Sequence, residues 1–96
     1  MKTDYQLSII NRLRDSRQER NLSQAQVATF LGISTGQMGN IETPNASHKY
    51  TLGQIYTICS EFNISVADIF LSDEERKQST NNQINVLIKK IVQYEQ

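Results

Sequence analysis

The residues able to do acid–base, metal or nucleophilic chemistry are few in this 96-residue chain. It holds one cysteine, Cys59, and one histidine, His48. A single thiol cannot form an internal disulfide or a Cys-rich zinc site, and this Cys and His are too few and too far apart in sequence for metal or Cys–His chemistry. No catalytic constellation, phosphate-cradling glycine loop or cofactor motif is present, so the expectation is a non-enzyme with no metal and no cofactor. What the chain has in excess is neutral hydrogen-bonding groups: 8 Asn, 10 Gln, 9 Ser and 7 Thr. Their chemistry is donation and acceptance, not proton transfer.

The charges sharpen that picture. Ten Lys and Arg balance ten Asp and Glu, for a formal net charge of zero. This argues against a polybasic tail and against an acidic, disordered solubiliser. It does not exclude a basic face, which is local. Residues 1–50 carry six basic and four acidic groups, a net +2, and residues 51–96 carry the reverse, a net −2. Arg12, Arg14, Arg17 and Arg20 supply most of the positive excess, yet no Lys or Arg lies between Asn21 and Ser47. No run of 18 apolar residues exists, so no membrane span is expected. The opening MKTDYQ lacks the basic and apolar regions of a secretory signal. With a lone cysteine, that points to the cytoplasm.

The elements that must position these groups are helices. Ser or Thr followed three residues later by Gln, Asp or Glu occurs at Thr3…Gln6, Ser23…Gln26, Ser34…Gln37, Thr51…Gln54, Ser65…Asp68 and Ser72…Glu75. Each is the signature of a capping box, in which two side chains satisfy orphan backbone N–H groups of a first helical turn. Apolar residues at three- and four-residue spacing follow: Ile9, Ile10 and Leu13, then Val27, Ala28 and Leu31, then Met38 and Ile41. Leu52, Ile55, Ile58, Cys59 and Phe62 make a fourth set, and Val66, Ile69 and Phe70 a fifth. Asn21 and Gly32 are the expected stops of the first two helices. Thr43, which precedes Pro44, disfavours the helical region and ends the third. Cys59 is expected to be a small core residue.

The segment from Gln24 to Thr43, QAQVATFLGISTGQMGNIET, reads as a helix-turn-helix. Ala28 is small where the second helix must cross, Gly32 takes the turn, and Val27, Leu31, Ile33, Met38 and Ile41 fill the angle between the helices. Together with Leu22-Ser23-Gln24, Val27-Ala28, Leu31-Gly32-Ile33-Ser34 and Ile41-Glu42, and with Leu52…Ile55…Ile58…Phe62-Asn63-Ile64-Ser65…Ile69-Phe70, the chain resembles the Cro and phage-repressor family. That family is also called the xenobiotic-response-element type. The likeness covers about residues 8–71. It implies an all-α fold, a five-helix domain over residues 1–71, in which the helix from Ser34 to Glu42 enters the DNA major groove.

Site residues follow from that resemblance. Ser34, Thr35, Gln37 and Asn40 would face the bases, since the amides can pair bidentately with adenine and Thr35 can meet a thymine methyl. Gln24, at a helix N-terminus, would bond a phosphate, as would Lys49 and His48 in the following loop. Arg17 would pair with Glu42 and join the first and third helices. Gly36 and Gly39 stand where the family often places contacting side chains, and each costs the helix roughly 1 kcal/mol relative to Ala. With no cation between Asn21 and Ser47, a monomer should bind weakly and with a shallow salt dependence.

Beyond residue 71, the stretch 72–83 has no apolar residue and reads as a solvated helix turn or a tether. Then Ile84, Leu87, Ile88, Ile91 and Tyr94 make an apolar stripe on a helix over 84–96. It either folds back on the small domain or pairs with the same helix of a second subunit. An apolar surface of this kind marks an interaction site, so pairing is the expectation. A homodimer would set two recognition helices about 34 Å apart on a palindrome. The resulting expectation is a dimeric repressor acting on double-stranded DNA. The alternative is a protein-interaction module, antitoxin-like or a phage or mobile-element accessory factor, with secondary DNA contact.

Overall fold

Side chains set where the helices begin. The computed structural model describes residues 1–96 and contains seven helices: α1 (Asp4–Glu19), α2 (Gln24–Leu31), α3 (Thr35–Glu42), α4 (Leu52–Phe62), α5 (Val66–Phe70), α6 (Asp73–Arg76) and α7 (Thr80–Glu95). All six expected caps, Thr3, Ser23, Ser34, Thr51, Ser65 and Ser72, accept the backbone N–H three residues on. Ser79 does the same for α7, a start the sequence reading did not anticipate. In five of the seven helices the residue at the third position also reaches back to the cap's own N–H, completing the box. The α3 start is one of the two left half-closed.

The stops are equally local. Asn21, Gly32 and Asn63 hold positive φ angles of 56°, 72° and 56° after α1, α2 and α4. At Gly32 this left-handed turn lets the Ile33 N–H return to the Ala28 carbonyl at 3.0 Å, so α2 ends and α3 can begin within a few residues. Thr43 is extended (ψ 124°) ahead of Pro44 and ends α3.

The apolar faces meet in one core. Ile9, Ile10 and Leu13 of α1 pack with Val27, Ala28, Met38 and Ile41 of α2 and α3, and with Ile55, Ile58, Cys59, Phe62, Ile69 and Phe70 of α4 and α5. Burial pushes the Cys59 thiol above its usual range, so it stays protonated and acts as a packing group.

The C-terminal helix corrects one expectation. The sequence leaves its stripe either to fold back on the domain or to pair with a second subunit, with pairing the expectation. Instead α7 folds back onto α1, α5 and α6, and Tyr94 is completely buried. Its ring meets Phe70 edge-on at 5.9 Å, its hydroxyl donates to the Tyr50 carbonyl at 2.8 Å, and its carbonyl accepts from Gln6 Nε2 at 2.7 Å. Leu87 and Ile91 pack against the same core. The physical reason is close packing: the Tyr94 ring and hydroxyl complete a core that it shares with Tyr50 and Phe70. Of the expected interface, only Ile84 and Ile88 stay on the surface, joined by Val92. The polar stretch 72–83 is accordingly no tether. It contains α6 and the first turn of α7, and the reversal is held by the Arg76–Asp68 ion pair and by Lys90, which approaches Glu75 at 3.9 Å.

Candidate nucleic-acid interface

Two helices of eight residues each form the site. α3 buries Met38, Ile41 and Glu42 and turns Ser34, Thr35, Gly36, Gln37 and Asn40 to solvent. The open face carries hydroxyls, amides and bare backbone, with no charge. Ser34 Oγ accepts the Gln37 N–H at 3.0 Å, but the Gln37 amide makes no return bond to Ser34. Gln26, Gln6 and Gln54, at the same position of their helices, are all folded back on their caps. Gln37 therefore keeps both its donor and its acceptor for something outside the chain. Asn40 stands exposed one turn further along.

The brace beneath this face is the expected ion pair. Arg17 meets Glu42 through two parallel bonds, Nε to Oε2 at 3.0 Å and Nη2 to Oε1 at 2.8 Å, and donates a third to the Leu22 carbonyl at 2.8 Å. Both residues are buried, and the fork geometry fixes the angle between α1 and α3. Gln24 joins this network: its amide nitrogen donates to Glu42 Oε1 at 2.9 Å.

That contact occupies part of the Gln24 amide, the group expected to bond a phosphate. Gln24 is half-buried, and one of its two amide hydrogens is engaged within the fold. Lys49 is engaged in the same way. Its ammonium donates to the Tyr94 and Glu95 carbonyls at 3.1 and 3.2 Å, closing the end of α7 and lying 5.3 Å from the Tyr94 ring centre. Helix C-termini are partially negative and attract cations, so this site competes with a phosphate for Lys49. His48 is exposed.

The same pattern extends to nearly every cation of the first fifty residues. Lys2 donates to the Asn40 and Thr43 carbonyls, Arg12 to Ile69, Arg17 to Leu22, and Arg20 to Ser16 and Phe62. Arg20 also stacks over the Phe62 ring at 4.6 Å. Arg14 alone has no such partner, and its Nε is buried without a hydrogen bond. Sequence reasoning assigned one arginine, Arg17, to structure and missed the others. The signal was indirect: each helix end exposes carbonyls that need donors, but nothing local names the donor. The basic excess of the N-terminal half is thus mostly internal wiring.

A short helix turned at a left-handed glycine onto a second one, whose outer surface offers only uncharged hydrogen-bonding groups, is a helix-turn-helix of the kind that reads nucleic-acid grooves. Among known protein families, residues 12–72 match the Cro/C1-type HTH DNA-binding domain, and the chain belongs to that family of DNA-binding regulators. Comparison with curated proteins and with solved structures gave no match. No helix is long and apolar enough to cross a membrane, and no group of three or more His, Cys, Asp or Glu could hold a metal ion.

Proposed function

We propose that the protein is a cytoplasmic, sequence-specific regulator of transcription, a dimeric repressor that inserts α3 into the major groove of double-stranded DNA. The observation that carries this reading is the free Gln37 amide beside Asn40 on an exposed, uncharged helix face. Gln37 and Asn40 have the geometry to pair bidentately with adenine, and Ser34 and Thr35 contribute hydroxyls and a methyl group at the leading end. Gln24 meets a phosphate through its second amide hydrogen, Lys49 through its third ammonium hydrogen, and His48 from the loop.

Dimerisation rests on Ile84, Ile88 and Val92, each at least half exposed, spaced four residues apart along one face of α7. An antiparallel pairing centred on Ile88 sets Ile84 opposite Val92 and Glu95 opposite Asn81. The Glu95 carboxylate then lies against a helix N-terminus that has no acidic residue of its own. Three side chains make a small interface, so pairing is weak in solution and acts on DNA, where a second half-site is met at high effective concentration.

Selection of binding sites from random duplex DNA tests the reading. A palindrome should be enriched, and Ile88→Glu should abolish cooperativity between half-sites while leaving the affinity for a single half-site unchanged. Absence of any enriched sequence would overturn it. One observation favours a second reading, a protein-interaction module. The cations that would hold phosphates are largely engaged inside the fold. In that case a partner protein would be retained by the Asn40→Ala variant, and DNA would be released by modest salt.

A further inference from the structure

We propose that Lys2 is a positioning residue for DNA recognition, supplying the hydrogen-bond donor that Pro44 lacks and so holding the last turn of α3, with Asn40, in its reading orientation. In a continuing helix the Asn40 carbonyl would accept the N–H of residue 44. Residue 44 is proline and has none. Because Thr43 is extended, the chain leaves the helix axis and no backbone N–H returns to that carbonyl, as a left-handed glycine cap would arrange. The Lys2 ammonium occupies the vacant place, 3.1 Å from the Asn40 oxygen and 2.5 Å from that of Thr43.

Two further features make this a built arrangement. Lys2 is 6% exposed, so its charge is directed at the end of α3 and away from any phosphate. A cation there also opposes the partial negative charge of the helix terminus. The residue next to it is locked as well. Thr3 caps α1 by accepting the Gln6 N–H, Gln6 Oε1 accepts the Thr3 N–H, and Gln6 Nε2 donates to the Tyr94 carbonyl. The start of α1 is therefore fixed by α7, and through Lys2 it fixes the end of α3. One face of that last turn is pinned by the buried Ile41 and Glu42, and Lys2 holds the carbonyl of the exposed residue between them and the solvent.

The role of Lys2 in recognition rests on the DNA-binding reading above; its role at the end of α3 does not. The test compares wild type, Lys2→Met and Lys2→Arg on the duplex enriched by site selection, across a salt series, with amide hydrogen exchange on the free proteins. Lys2→Met should bind about tenfold more weakly, since a charge-assisted bond is lost. Its salt slope should not change, and its Thr43 N–H should exchange faster. Lys2→Arg should recover part of both. Unchanged affinity in Lys2→Met would overturn the proposal. So would a salt slope reduced by about 0.9, which would make Lys2 a phosphate contact. If wild type binds no duplex, the DNA reading fails, and Thr43 exchange alone decides whether Lys2 closes the helix.

Discussion

α2 and α3 are eight residues long, begin at a serine and run in the same register, yet the fold uses them in opposite ways. Aligned from the cap, Ala25 corresponds to Gly36, Gln26 to Gln37, Val27 to Met38, Ala28 to Gly39 and Thr29 to Asn40. In α2 the polar groups turn inward upon the helix: Gln26 bonds the Ser23 N–H, and the Thr29 hydroxyl bonds the Ala25 carbonyl. In α3 neither Gln37 nor Asn40 does this with its side chain. Where α2 has alanine, the better helix former, α3 has glycine. The space around Gly36 does not require it, since an added Cβ would meet nothing nearer than the Ser34 hydroxyl at 4.0 Å. The supporting helix completes itself, whereas the presenting helix gives up local stability to keep its surface open.

The contrast can be broken at the contact the two helices share. Glu42 accepts from Arg17 of α1 and from Gln24 of α2, so Glu42→Ala leaves a buried guanidinium without its partner. A loss of about 3–5 kcal/mol in urea unfolding is expected, with α2 and α3 loosening together. Next in size is Asn40→Ala. It should lower affinity for the selected duplex by about 1–3 kcal/mol, tenfold or more, with a melting temperature unchanged within error. The glutamines give the cleanest separation. Gln26→Ala should destabilise the fold by about 0.5–1 kcal/mol and leave DNA affinity intact. Gln37→Ala should do the reverse, which chemical denaturation and binding titrations on the same two variants will show. The smallest effect is expected at Gly36→Ala, a stabilisation of up to about 1 kcal/mol measurable as a small rise in melting temperature. A fall there would mean that the fold itself, and not the presented surface, demands glycine.

Most of the fold was legible because its determinants are local. A capping serine or threonine, an αL asparagine or glycine, and a pre-proline threonine each act within four residues. The caps of α1 to α5 and the stops at Asn21, Gly32 and Thr43 stand where expected, while the αL stop at Asn63 was not foreseen. The Arg17–Glu42 pair was legible through family resemblance. The outward placement of Gln37 and Asn40 was legible through the same resemblance, and both are exposed. What stayed hidden depends on contacts between residues far apart in the chain. The donors at helix ends, Lys2, Arg12, Arg20 and Lys49, reach carbonyls 38 to 57 residues away, and no spacing rule predicts such pairs. The destination of α7 was hidden for the same reason. An apolar stripe records that a partner is needed but not whether the partner is the same chain.

The burial of Tyr94 has a temporal side. Its carbonyl meets Gln6 across 88 residues, so the last aromatic ring of the chain closes against one of its first turns. During synthesis the chain emerges N-terminus first, and the helix-turn-helix residues leave the ribosome well before those of α7. Until Tyr94 follows, Phe70 and the Tyr50 carbonyl lack the ring and the hydroxyl that meet them in the folded chain. Docking of α7 therefore cannot precede the release of Tyr94, whose ring and hydroxyl complete those contacts.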